Sequence, residues 1–147
     1  MATTATISLS SDIMPTYGGY GKTMTLTKAG ARTDIEETTG FSRRKLAATT
    51  AVDIITMADA SLLLETADSK AAKVFVQNVG DGKGTIDKST YVTISIGDTG
   101  GTPQPIGRLY GGDWLLMPVT TADNKDVVAT PSTNDAVVLE YVMFFEV

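Results

Sequence analysis

Three groups of residues in this 147-residue sequence have types and spacings that bear on chemistry. The first is Thr16-Tyr17-Gly18-Gly19-Tyr20-Gly21-Lys22-Thr23, which fits a GxxxxGK[ST] phosphate loop except that Thr16 stands at the first required glycine. Such a loop wraps phosphates with backbone N–H groups and leads into a helix N-terminus, whose dipole adds to the pull on the anion. Here Lys22 to Lys28 (KTMTLTK) alternates at period two instead, placing Met24 and Leu26 on one face and Thr23, Thr25 and Thr27 on the other. The reading from context is a strand preceded by a turn with two tyrosines.

The second group is the carboxylates. A facing Asp/Glu pair can hydrolyse glycosides without histidine. Glu36-Glu37, Asp81, Asp87, Asp98, Asp113, Asp123 and Asp126 fall mostly in expected loops, where Asp is favoured for turn chemistry alone. Glu65 and Glu140 interrupt apolar runs and need a partner if buried. The stretch from Asp81 to Asp87 lacks the alternating ligands and distal Glu of a calcium loop. The third group, Arg43-Arg44-Lys45, is the one cluster of three adjacent cations, suited to an acidic protein surface or to solvent.

What is missing narrows the chemistry further. With no Cys and no His there is no disulfide framework, Cys/His zinc site, thiol nucleophile or His-based triad. No acid/base set converges, so the expectation is a protein that is not an enzyme and has no cofactor or metal. The net charge of −5 gives a summed field of the wrong sign for coating nucleic acid. No cationic segment leads into an apolar stretch and no run approaches 18 apolar residues, so neither a signal peptide nor a membrane span is expected.

The elements that position these residues are strands. There are 23 Thr, 12 Val and 9 Ile, about 30 % of the chain, and 14 Gly punctuate the runs. Thr4 to Leu9 alternates briefly, Met14 to Gly21 has no period, and 28–45 is polar and reads as a second long connection. Long connections of this kind are ordered by function or by a partner.

From residue 51 the pattern is regular. Ala51–Met57 and Ser61–Glu65 are short apolar runs, either a bent strand pair or one helical turn. Ala72–Val79, Thr90–Ile96, Ile106–Tyr110, Asp113–Met117 and Asp126–Thr130 read as strands, the last two stopping at Pro118 and Pro131. The final strand, AVVLEYVMFFEV, is apolar on both sides, as in a central strand or one covered by another subunit. About eight strands at roughly ten-residue spacing give the expected fold: an all-β, antiparallel two-sheet β-sandwich or jelly roll, with an extended N-terminal arm. Residues 1–50 are expected to hold the arm, long loops and one short strand, and 51–147 the sandwich body. Trp114 is expected inside the sandwich, with an interface anchor as its second reading.

Val74-Phe75-Val76-Gln77-Asn78-Val79, Tyr91 to Gly97, Ile106-Gly107-Arg108-Leu109-Tyr110-Gly111-Gly112-Asp113-Trp114, Val127 to Thr130 and Leu139 to Glu146 together form a rhythm of strands and corners. In that rhythm residues 72–147 resemble small virion proteins of tailed bacteriophages, most of all head decoration (cement) proteins with a β-sandwich body. The resemblance implies a structural virion protein, made in the host cytoplasm, that assembles as a homotrimer on the outer capsid surface. There it would bind the major capsid protein and bridge capsomers. Met14, Tyr17 and Tyr20 are then expected as arm anchors, and Arg43, Arg44 and Lys45 as charge complements. Trp114 is a further contact. The competing expectation is a receptor- or glycan-binding sandwich of a tail spike or fibre, or another head–tail component, using exposed aromatics such as Trp114 and Tyr110.

Overall fold

A computed structural model describes residues 3–9, 20–26, 35–38, 40–57, 71–81, 88–120 and 125–146. Eleven strands are described: β1 (Thr3–Leu9), β2 (Tyr20–Leu26), β3 (Ile35–Thr38), β4 (Ser42–Leu46), β5 (Val52–Ile55) and β6 (Ala71–Asn78). They continue with β7 (Tyr91–Ile96), β8 (Gln104–Tyr110), β9 (Trp114–Thr120), β10 (Val127–Pro131) and β11 (Val137–Glu146).

From β4 onward the pairing is nested. β7 pairs with β8, β6 with β9, β5 with β10 and β4 with β11, all antiparallel. These pairs fall alternately into two sheets, ordered β5-β10-β7-β8 and β4-β11-β6-β9. A long hairpin folded and rolled in this way is a jelly roll, so the sequence expectation of an antiparallel two-sheet sandwich holds. β3 adds a fifth strand to the second sheet, pairing with the end of β11 beyond β4.

Period-two burial builds the core from both sheets. Val74 and Val76 of β6, Leu139 and Met143 of β11, Val92 and Ile94 of β7, and Val127 and Ala129 of β10 are all completely buried. Ile54 and Ile55 of β5, Met57 just after it, Leu46 of β4, Ala72 of β6, Leu109 of β8 and Val137 of β11 complete the buried cluster. β11 is central, flanked by β4 and β6, which explains why both of its sides are apolar.

Several expectations need correction. The sandwich starts before residue 51, because β3 and β4 lie within the stretch expected to be connection. β4 (SRRKL) escapes a periodicity search since, as an edge strand, it needs a single inward apolar residue, Leu46. β9 runs through Pro118 and β10 includes Pro131; an edge strand tolerates a proline, having no neighbour to receive its missing N–H, and a strand end does likewise. β1 and β2 form a separate antiparallel ribbon, so the 1–50 segment holds more strand than expected. Gly21-Lys22-Thr23 lies within β2, which removes the helix a phosphate loop requires. Residues 58–70, Glu65 included, lie outside the described residues.

The corner between β8 and β9, where the chain crosses from one sheet to the other, is tied by Asn78. Its backbone N–H donates to the Asp113 carbonyl (2.9 Å) and its carbonyl accepts from Gly112 N–H (2.8 Å). Its buried side chain donates from Nδ2 to the Leu109 carbonyl (3.0 Å) and accepts at Oδ1 from Gly80 N–H (2.9 Å). Gly112 has φ 93°, which favours glycine. Asn78→Leu, which removes both side-chain bonds and strands two buried backbone groups, is expected to cost about 1–3 kcal/mol in chemical denaturation. Gln77→Ala, one residue along and outward, is expected to stay within about 0.5 kcal/mol.

Candidate functional site

The outer face of the sheet β4-β11-β6-β9 is the most distinctive surface. Strand alternation sends Leu115, Met117 and Val119 of β9 toward the core, so Trp114, Leu116 and Pro118 point out. Pairing sets Leu116 beside Phe75, and Phe75 beside Val142, making an apolar row across the sheet. Phe41, just before β4, places its ring 6.3 Å from that of Phe75. The Trp114 ring stacks against Phe75 from the other side, at 6.2 Å and an interplanar angle of 29°. Phe41 is 64 % and Trp114 40 % exposed, so the two ends of this aromatic strip face solvent. Beneath it the outward valines of β11, Val138 and Val142, are already buried.

A polar row runs alongside, with Trp114 opposite Gln77, Gln77 opposite Glu140 and Glu140 opposite Arg43. Arg43 Nε lies 3.5 Å from Glu140 Oε1, which supplies the partner that the carboxylate needs within an apolar strand. Among the described side chains of this face the charged ones are Arg43, Lys45, Lys73 and Glu140. The described part of this face is therefore cationic in a chain of net charge −5.

The structure separates the residues singled out by sequence. Arg44 takes the inward position opposite Leu139 and reaches past the sandwich edge, donating from Nη1 to the Asp53 carbonyl of β5 at 2.7 Å. Two of the three clustered cations thus make contacts within the chain, and one of these bridges the two sheets. Lys45 is exposed opposite Val138. Trp114 is corrected from interior to surface, because β9's inward positions are the odd-numbered ones. Tyr20 opens β2 opposite Leu9. Met14 and Tyr17 lie outside the described residues. Phe41 and Phe75 were missed by sequence reasoning. Phase could have found Phe75, since Val74 and Val76 flank it inward; Phe41 precedes a strand with no apolar period and gave no signal.

The opposite outer face, on β5-β10-β7-β8, is mostly hydroxylic. Tyr91 and Tyr110 pair across β7 and β8 with ring centroids 5.3 Å apart, and the Arg108 guanidinium sits 4.5 Å from the Tyr91 ring centre. Two loop carboxylates do turn work, Asp98 accepting from Gly100 N–H and Asp113 from Tyr110 N–H, while Asp126 accepts from Met57 N–H and ties the start of β10 to the end of β5. Among the described residues no group of three metal-ligating side chains gathers. A groove of about 240 Å³ opens where β8 and β9 diverge, lined by Ile96, Ile106, Met117, Pro118, Val119, Thr120 and Lys125.

The sheet edges are blunted. β8 has Pro105 and a bulge that leaves Ile106 without a cross-strand partner, and β9 has Pro118. β4 presents Arg43, Arg44 and Lys45, while β5 is only four residues long. Each device discourages addition of a further strand.

No family model matches the sequence. No curated protein matches it either. A chain from a solved structure described as "Bacillus endospore appendages form a novel family of disulfide-linked pili" is similar at 18 % identity and a TM-score of 0.41, over 80 % of this chain and 96 % of that one.

Two stability measurements check the assignment of strip and core. Trp114→Ala is expected to cost about 0.5–1.5 kcal/mol, the scale of one aromatic pair, whereas Leu139→Ala should cost about 2–5 kcal/mol. A double-mutant cycle on Arg43 and Glu140 is expected to give a coupling below about 1 kcal/mol, since the Arg43 end of the pair is exposed and Glu140 keeps some access to water.

Proposed function

We propose that this chain is a structural subunit of a multi-copy surface layer, and that it attaches to the outer lattice of a viral capsid, where it bridges neighbouring capsomers. The observation that carries the reading is the solvent-facing strip of Phe41, Phe75 and Trp114 on a sandwich whose edges resist strand pairing. Large exposed aromatics bordered by cations are the composition of an interface centre and its rim. With edge addition discouraged, association through a sheet face is favoured. The capsid as partner comes from the resemblance of residues 72–147 to phage head decoration proteins. On a lattice, many modest contacts add into strong attachment through multivalency.

A second reading is supported by the Tyr91–Tyr110–Arg108 group. An exposed tyrosine, Tyr110, packed against a half-buried one beneath a guanidinium is also a surface on which a sugar ring can stack, as in a receptor-binding sandwich.

Attachment to capsids stripped of surface layers separates the two. Saturable binding is expected, weakened about 10- to 100-fold by Trp114→Ala combined with Phe75→Ser, the effect of losing an interface centre. Tyr110→Ala should leave attachment unchanged. Glycan binding by the free protein that disappears with Tyr110→Ala, together with no capsid attachment, would select the second reading.

A further inference from the structure

The outer face of the sheet β5-β10-β7-β8 carries two neighbouring rows of polar side chains. Period two sends Val92 and Ile94 of β7 and Leu109 of β8 inward, so Tyr91, Thr93, Arg108 and Tyr110 point out. In one row Tyr110 lies opposite Tyr91. In the next, Arg108 lies opposite Thr93, and Thr93 opposite Thr130. The tyrosine row is pinned through its backbone. Tyr91 N–H donates to Ser132 Oγ at 3.0 Å, Ser132 N–H donates to the Tyr91 carbonyl at 2.9 Å, and Tyr110 N–H donates to Asp113 Oδ2 at 3.0 Å.

Arg108 crosses from its own row to this one. Its guanidinium carbon sits 4.5 Å from the centre of the Tyr91 ring, and among the described residues no carboxylate or carbonyl accepts from it. A guanidinium resting on an aromatic floor keeps the N–H donors along its edge open to an acceptor beside it. Its geometry matches a carboxylate, which takes two parallel N–H bonds from such an edge. Tyr110 packs on the same Tyr91 ring, with centroids 5.3 Å apart, and is 37 % exposed, so it offers an apolar plate ending in a hydroxyl. Thr93 and Thr130 add two half-buried hydroxyls. Plate, hydroxyls and unpaired cation in one patch complement a molecule with an apolar ring face, hydroxyls and a carboxylate, which is the chemistry of a uronic acid.

We propose that this patch binds a uronic-acid unit of a polysaccharide, with the pyranose ring on Tyr110 and its carboxylate on Arg108. This rests on the second reading above, that the face takes a sugar, and it names the class of sugar. Tyr110 and Arg108 are two residues apart on one strand, about 7 Å, so a single sugar reaches both. The patch and the aromatic strip belong to different sheets, so a copy attached through the strip keeps the patch turned outward. The net charge of −5 opposes an anionic polymer at long range, yet screening confines that repulsion to roughly 8 Å at physiological salt. One site is therefore weak, and copies held side by side reinforce one another along the polymer.

Polygalacturonate and its fully methyl-esterified form share the same sugar backbone and differ only in the ionised carboxylate, which makes them matched probes. Binding of the full-length protein to each immobilised polymer is measured by interferometry. Saturable binding to the acid form is expected, about tenfold tighter than to the ester, the scale of one charge-assisted contact. Arg108→Met keeps an apolar stem over Tyr91 and should bring the acid polymer down to the level of the ester, leaving the ester unchanged. Tyr110→Ala should weaken both, with circular dichroism confirming that each variant folds. Equal binding of the two polymers, binding to neutral dextran alone, or an acid polymer indifferent to Arg108→Met would overturn the uronate assignment and leave the sugar reading standing. Equally tight binding to polyglutamate, which has carboxylates but no sugar ring, would overturn it too. If none of the polysaccharides binds, the sugar reading falls together with the inference.

Discussion

The jelly roll depends on the polar knot at Asn78. A chain that rolls a long hairpin into two sheets must cross between them at each end, and every crossing places backbone groups where neither ladder can satisfy them. At the β8–β9 crossing Asn78 meets this need with three hydrogen bonds, two from its backbone and one from its side-chain Nδ2, while its Oδ1 accepts from Gly80 N–H just after β6. Asp113 closes the turn itself, its N–H donating to the Tyr110 carbonyl and its carboxylate accepting from the Tyr110 N–H. β9 therefore starts at a fixed register on β6, with Trp114 opposite Gln77. A one-residue slip would exchange the faces, sending Trp114 inward and Leu115 to solvent. The surface strip is thus set by a buried amide.

The same sheet shows how one strand serves two surfaces. β11 lies between β4 and β6, so its inward residues Val137, Leu139 and Met143 fill the core while its outward Val138 and Val142 floor the aromatic strip. Glu140 interrupts that outward row and is held by Arg43 on the neighbouring strand. Arg44, on the other side of β4, closes the sandwich edge by reaching the Asp53 carbonyl of the facing sheet. The basic cluster is thereby divided by strand alternation between a cross-strand pair and a cross-sheet bond. Its cations also keep an edge strand from recruiting another chain.

Much of this was legible in the sequence, and the parts that were not share a cause. Period-two runs at Tyr91–Ile96 and Val137–Glu146 read as strands and are strands, because both lie inside sheets and must bury one face along most of their length. β3 and β4 were invisible because an edge strand is specified by its neighbour; SRRKL has one core residue and nothing periodic to detect. Prolines stopped the expected strands early at Pro118 and Pro131, where position at an edge or an end made them harmless. Trp114 was expected to be buried from its size, when the phase of Leu115, Met117 and Val119 already pointed it outward. Phe41 illustrates the limit: a lone aromatic ahead of a polar strand becomes part of a surface only after the fold brings Phe75 alongside.

Exposed aromatics put any soluble chain at risk of indiscriminate association, and the charge distribution acts against it. The described part of the strip face carries three cations and one carboxylate, so the rest of the chain accounts for −7 of the net −5. Two copies approaching through their acidic remainders repel one another, and screening at physiological salt confines that repulsion to roughly 8 Å, which is contact range. A strip face meeting an acidic surface of another copy is free of this penalty. Blunted edges remove the other common route to aggregation, leaving face-on contact as the geometry least opposed by either backbone or charge. Selectivity of this kind needs no catalytic group and no buried ionisable partner. It requires only that the strip stay in register, which returns the problem to the corner tied by Asn78.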